Sequence, residues 1–231
     1  MSKASFPGFS LETLKFLDQL ERNNNRDWFH KNKDRYESAV RGPALEFIEA
    51  MAEPIKKISP HFRVEAKKVG GSLMRVYRDT RFSHDKTPYK TNVGIHFRHI
   101  KGKDVHAPGF YVHIDPDSVF VGAGIWHPDS AALQKIRQVI DKKQADWNKI
   151  VKSKAFTGKF ERQGESLKRP PRGYKEEHPL IRDLKLKDHF AIANLEHDII
   201  TGKSLVTQSA KLFAASSKYM KFLCNALKVK F

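Results

Sequence analysis

The chain has 231 residues, with 43 Lys/Arg against 26 Asp/Glu, a formal net charge of +17. Its 39% hydrophobic content with sixteen Phe can fill a sizeable core, and no run approaches the roughly 18 apolar residues of a helical membrane span. A single cysteine, Cys224, excludes an intramolecular disulfide and an all-cysteine zinc site.

The opening MSKASFPGFS has no apolar signal core, so the expected location is the cytoplasm, or the nucleus in a eukaryote. Ser10 is placed to cap a helix through Leu11, Leu14, Leu17 and Leu20, read as one inward face. Asn23-Asn24-Asn25 reads as a turn, because Asn tolerates left-handed backbone and bonds its own main chain. A second helix starts near Arg26 with Trp28, Phe29, Tyr36 and Val40 inward, and Gly42-Pro43 is expected to interrupt it. A third, through Leu45, Ile48, Met51 and Ile55, ends before Pro60.

Between Leu73 and Trp126 the apolar residues alternate, which predicts strands at 72–78, 92–100, 109–115 and 118–125. Asp115-Pro116-Asp117-Ser118 joins the last two as a short hairpin. Phe110, Val112 and Ile114 then share an apolar face with Val119, Val121, Ala123 and Ile125, as do Val93, Ile95 and Phe97 on the strand before. The other face carries Gly94, His96, Arg98, Tyr111, His113, Phe120, Gly122, Gly124 and Trp126: glycines under a rim of polar and aromatic groups. Such a face is either a floor open to a ligand or a seat for a closely packed helix.

Asp129 caps a helix carrying Leu133, Ile136, Val139 and Ile140, continued by a basic stretch to Lys154 with Trp147 and Ile150 as anchors. An ordered loop over 167–174 (LKRPPRGY), a short helix near 177–184 and a strand near 189–195 follow. The chain closes with one long helix, Ser204 to Leu227, in which Cys224 is a buried thiol. The expected fold is a single α+β domain over 1–231. It comprises a helical unit over 10–58, a central mostly antiparallel sheet over 63–126 plus 188–195, and helices over 129–155 and 203–228 packed on one face.

Charge is uneven. Residues 1–60 are nearly neutral, whereas 61–106 hold eleven cations against four acids and 142–175 eleven against three. The densest chemistry lies in MRVYRDTRFSHDKTPYKTN, residues 74–92. There Arg75, Arg78, Arg81, Lys86 and Lys90 alternate with Asp79 and Asp85, and with Tyr77, Phe82 and Tyr89. Guanidinium forks match phosphate or carboxylate oxygens two at a time, so these cations, with Arg98 and Arg172, are candidate anion-binding residues. Asp79 is assigned to orient the arginines, and Tyr89, Tyr111, Trp126 and Tyr174 to wall the site. An internal knot of ion pairs is the competing structural reading of the same loop.

His96, His113 and Asp85 are the candidate proton-transfer groups, because histidine titrates near neutrality. His96, His113 and Asp115 are metal-type ligands, but their spacing matches no metal signature; no metal and no cofactor are expected. Ser83 lacks a nucleophile-elbow context, and Gly70-Gly71 lacks the Lys-Ser/Thr of a phosphate loop.

Several of these segments occur together in one family. Phe6-Pro7-Gly8-Phe9, Asn23 to Phe29, Tyr36, Arg78 to Ser83, Asp85 to Thr91, Gly122 to Pro128 and Pro171 to Tyr174 appear in order. With them the chain, from Phe6 to Leu227, resembles the conserved hypothetical bacterial and fungal family known as domain of unknown function 2461. The resemblance implies one domain and supplies site positions, with no activity, substrate or cofactor attached.

Three functional readings stay open. The leading one is binding of a phosphate-bearing partner, most of all nucleic acid, through Arg78, Arg81, Lys86, Lys90 and Arg172, with interleaved aromatics as stacking platforms. The second is an enzyme acting on a small anionic substrate in the glycine-floored cleft, with an arginine clamp and His96 or His113 moving a proton. The third is a protein-interaction module. No membrane partner is expected, and oligomeric state is not legible.

Overall fold

Period-two alternation dictates the centre of the molecule. The computed structural model describes residues 6–81, 83–102 and 106–231. The readings that rested on residues 1–5 and on the aromatic Phe82 lie outside the described residues. Five strands form one antiparallel sheet: β1 (Val93–Arg98), β2 (Gly109–Ile114), β3 (Val119–Ile125), β4 (Glu161–Gln163) and β5 (His189–Asn194), in the order β1-β2-β3-β5-β4. The fold is α+β.

The hairpin between β2 and β3 is fixed by Asp115, whose backbone N–H donates to Ser118 O at 3.0 Å. Its carboxylate accepts from Asp117 N at 2.9 Å and Ser118 N at 2.7 Å. Because the register pairs Tyr111 with Gly122 and Val112 with Val121, every apolar residue of the two strands falls on the predicted side. Ile95, Phe97, Phe110, Val112, Ile114, Val121 and Ile125 are buried there.

Helices cover that face. In chain order the helices of the described residues are α1 (Leu11–Arg22), α2 (Arg26–Lys31), α3 (Lys33–Tyr36), α4 (Gly42–Ala50), α5 (Ala52–Ile58), α6 (Ser130–Lys142), α7 (Gln144–Val151), α8 (Lys154–Thr157), α9 (Ile181–Lys185), α10 (Leu205–Ala215) and α11 (Ser217–Ala226). A 3-10 turn spans His197–Thr201. α10 brings Phe213 onto the sheet, its ring 4.8 Å from Phe110 and 6.3 Å from Phe97. Ser10 and Asp129 cap α1 and α6 as expected, accepting from Thr13 N at 3.3 Å and Ala132 N at 2.7 Å.

Several expectations change. Leu11 is 75% exposed while Phe16 is fully buried. Each three-residue step lags the helix by about 60°, so Leu11 and Leu20 end on opposite sides. Gly42-Pro43 does not interrupt the second helical run. A π-helical turn over Glu37–Arg41 leads straight into α4, where Pro43 sits in the first turn; it has no N–H for the preceding turn, and the Ala39 carbonyl accepts from the Thr13 hydroxyl at 2.6 Å instead. The third helix divides into α4 and α5 at Met51, and the helix after Asp129 turns at Lys143 to become α6, α7 and α8.

The closing helix divides at Ser216, whose hydroxyl donates back to Phe213 O at 2.8 Å and loosens the turn. The short helix expected at 177–184 forms at 181–185, and the edge strand β4 has too little alternation in its three residues to be predicted. Residues 72–78 make only isolated bridges, Leu73 to Ile95 and Tyr77 to Tyr89. After Met74 N–H reaches Gly94 O, the chain leaves β1 and folds on itself through Arg78 N to Pro88 O and Lys90 N to Val76 O. Pro88 has no N–H with which to extend that ladder.

Candidate functional site: a cleft on the open sheet face

The polar face of the sheet stays open. A cavity of about 420 Å³ lies over it, floored by Gly109, Gly122 and Gly124 and walled by Phe120, Phe190, Ile192 and Trp126, with Met74, Lys90 and Asn92 of the 72–92 segment at one side. Among the described residues no helix sits on the glycines. The atoms nearest to a Cβ built on Gly122 would be Tyr111 Cβ at 3.6 Å and two atoms of β5 at 3.8 and 3.9 Å, all at ordinary contact distance.

Strand register arranges this face in rows. Gly94, His113 and Phe120 form one; His96, Tyr111, Gly122 and Ile192 the next; Arg98, Gly109, Gly124 and Phe190 the third. The first two rows contain a chain of hydrogen bonds. Asp115 Oδ2 accepts from His113 Nε2 at 2.6 Å, and Tyr111 Oη lies 3.2 Å from His113 Nδ1. A carboxylate at Nε2 fixes the proton there and leaves Nδ1 as the acceptor of the Tyr111 hydroxyl.

The His113 ring is held flat against Phe120, with centroids 4.5 Å apart and planes 8° from parallel. Burial raises the Asp115 carboxyl, but the bonds from His113, Asp117 N, and Ser118 N and Oγ outweigh it and hold it below its ordinary range. Burial pushes the Tyr111 hydroxyl up to about 12, against a lowering bond from Asn92 and with a small raising contribution from Asp115.

His96 is different. Its ring lies over Gly109, and among the described residues it has no hydrogen-bond partner. Burial, then the charges of Arg98 and His106, lowers its pKa to about 4, so it is neutral at physiological pH. Arg98 runs beside it with Nε buried and unpartnered among the described residues. Trp126, 48% exposed, closes the far end and stacks on His106 at 5.8 Å and 13°. At the near end, burial and the charge of Arg75 lower the Lys90 ammonium from its ordinary value.

The arginine loop lies outside this lining. Arg78 donates through Nη1 to Asp85 and to Thr87 Oγ1. Arg81 forms a two-point pair with Asp79 at 3.0 and 2.7 Å, and Lys86 Nζ donates to Thr80 O at 2.8 Å. The Asp79 carboxyl falls to about 2 through the Arg81 side-chain and backbone bonds. The Asp85 carboxyl falls to about 2 through Thr87 N, then Arg78 and the Thr87 hydroxyl. Both predicted aspartates therefore hold loop cations, as the structural knot requires. Arg75 is exposed beside this loop.

Tyr89 is packed inward, stacked on Phe29 at 4.1 Å. Arg172 is exposed. Tyr174 packs beside His178 at 5.7 Å, and its hydroxyl is raised by burial and Asp141 against Arg137; neither Arg172 nor Tyr174 lines the cleft.

Sequence reasoning missed Met74, Asn92, Phe190 and Ile192, whose roles depend on pairings that cross long separations. Asn24 was read only as a turn residue. Its amide also exchanges two bonds with Tyr89, to O and from N, each at 3.0 Å, tying the helical unit to the loop. Among the described residues no group of three or more His, Cys, Asp or Glu is placed to hold a metal ion, and no helix is long and apolar enough to cross a membrane.

Residues 12–222 match the model of a conserved hypothetical protein family, DUF2461. The chain belongs to this family. The match spans the first helical unit from the second residue of α1, the whole sheet and the first six residues of α11, so in this DUF2461 chain the cleft and the arginine loop both lie within the family's own extent. No curated protein and no solved structure matches the chain.

Proposed function

We propose that the cleft binds a small molecule with a flat apolar body and one polar end, and that the chain is an enzyme moving a proton on it. The observation that carries this reading is the Asp115–His113–Tyr111 chain of hydrogen bonds opening on a largely apolar cavity. Its volume of about 420 Å³ is within the range of small-ligand sites. Phe120, Phe190, Ile192 and Trp126 suit a planar body, and Lys90 with Asn92 suits a carbonyl or carboxylate oxygen at the near end.

Proton transfer follows from the tautomer. As the ligand gives a proton to Tyr111 Oη, the tyrosine hydroxyl proton passes to His113 Nδ1, and Asp115 stabilises the imidazolium that forms. Because Tyr111 is held near 12, a free phenolate is unfavourable and the two transfers are coupled. Among the described residues His96 lacks a carboxylate partner, which favours His113 as the proton acceptor. Lys90 takes the cation role first assigned to Arg78 and Arg81.

The rival reading, nucleic-acid binding through the arginine loop, is weakened by the loop's own acids, since Arg78 and Arg81 each hold one. A thermal-shift screen of small aromatic acids and ketones tests the cleft. Hits are expected to stabilise wild type and not Gly122→Leu, whose side chain fills the floor. For any such hit, solvent deuterium should exchange at the carbon beside its carbonyl. Exchange should fall about 10²–10⁴-fold in Tyr111→Phe. Hits that stabilise both proteins equally would sink the proposal.

A further inference from the structure

A second recess, of about 320 Å³, is lined by Arg26, His30, Tyr77, Arg78, Thr80, Pro88 and Tyr89 and shares no lining residue with the cleft. Three nitrogen-rich side chains meet there, and among the described residues no carboxylate lines it. Arg78 stands in the wall between this recess and a neighbouring one lined by Asp85 and Thr87. Its Nη1 is held on the Asp85–Thr87 side, while Nε and Nη2 have no partner among the described residues. The guanidinium is thus anchored by one corner with donors left over. Arg26 is exposed and has no ion pair among the described residues. The acid nearest in sequence to Arg78, Asp79, is occupied by Arg81.

The other wall is aromatic. Phe29 stacks on Tyr89 at 4.1 Å, Tyr89 meets Tyr77 at 5.5 Å, and Tyr77 ends the row 53% exposed. A rigid row of rings ending in an open face beside two guanidiniums is suited to a ligand carrying both a phosphate and a planar base.

We propose that this recess binds a nucleoside monophosphate, its phosphate held by Arg26, His30 and the free edge of Arg78, and its base laid on Tyr77. The site is independent of the cleft, so each can fail alone. Calorimetric titration of the full chain at low salt with AMP, inorganic phosphate and adenosine separates the two halves of the ligand. AMP should bind at least about tenfold tighter than either fragment, and Arg26→Gln/His30→Gln should weaken it about tenfold or more.

Both substituted residues are exposed, so the double variant keeps the core. Arg78→Lys, which keeps the charge and removes the fork, should weaken AMP as well, whereas Gly122→Leu in the cleft should leave it unchanged. The proposal is overturned if AMP gives no heat at millimolar concentration or binds no tighter than phosphate. Undiminished binding by the double variant also overturns it, as does a single-stranded oligonucleotide binding where AMP does not.

Discussion

The His96 imidazole occupies the space that a side chain on Gly109 would need: a Cβ there would overlap Nε2 and lie 2.8 Å from Cδ2. The two residues are diagonal neighbours on β1 and β2, His96 facing Tyr111 while Gly109 faces Arg98. The missing side chain is therefore what lets a neutral histidine lie flat along the cleft floor.

Gly109→Ala should force the ring to swing away from the floor. Because the clash is with the far end of a rotatable side chain, the stability cost should stay near 1 kcal/mol rather than the several of a backbone clash. Adding His96→Ala should recover most of it, giving a coupling of about 0.5–3 kcal/mol in a double-mutant cycle of urea denaturations. Strictly additive costs would show that the two residues do not share this space.

Gly122 and Gly124, two residues apart on one strand and one face, should respond oppositely to alanine. Gly122 has room, its nearest neighbour lying at 3.6 Å. Gly124 has φ of +139°, and its Cβ would overlap His189 O and lie 2.5 Å from Phe190 Cα, which are backbone atoms that cannot swing aside. Gly122→Ala should change stability by less than about 0.5 kcal/mol, and Gly124→Ala should cost more than about 2 kcal/mol. Equal unfolding midpoints for the two variants would contradict this account.

That contrast also shows how far the residues alone could be read. Alternation in Phe110–Ile114 and Val119–Ile125 placed both faces of the sheet, because one face had to be apolar and register has only two choices. The same pattern brought Tyr111 beside His113 on the open face. It did not show that Gly122 lies open and Gly124 is pressed against β5, since that depends on a strand some seventy residues later. The charge pattern of 74–92 marked the arginines and both aspartates but left their pairing undecided. Arg78 with Asp85 spans seven residues of irregular backbone, and no periodicity governs such a loop. Arg26 and His30 read as an ordinary exposed helical turn, and only the fold of the loop sets them opposite Arg78.

Asp115→Asn should change the tautomer of His113 without unfolding the hairpin. The Asn oxygen can still accept from Asp117 N and Ser118 N, which now bind Asp115 Oδ1. The carboxylate that keeps the proton on Nε2 is gone, so Nδ1 should become protonated in part of the population and Tyr111 should lose its acceptor. Long-range proton–nitrogen NMR spectra of the imidazole distinguish the two forms. A His113 that remains wholly Nε2-protonated in the variant would mean that Asp115 does not set the tautomer.

His189 makes stability depend on pH. It is 1% exposed at the start of β5, under Trp147, and neither ring nitrogen has a partner among the described residues. Burial lowers its pKa to about 4, with smaller and opposing contributions led by Asp183 and Arg137; His96 is lowered to about 4 as well. An unfolded histidine titrates near ~6.5, so as pH falls below that value the unfolded chain takes up protons that the folded chain refuses. Stability from these groups is complete above about 6.5 and is lost progressively as pH falls towards 4, on the order of 3 kcal/mol for each histidine. The Asp79 and Asp85 carboxyls, both near 2, act only at lower pH. His189→Leu removes two unpartnered nitrogens, so at pH 7 it should be neutral or stabilising. Near pH 4.5 it should be more stable than wild type, with a flatter slope between. Urea denaturation at the two pH values decides this, and a variant that loses as much stability as wild type on acidification would show that His189 is not the source.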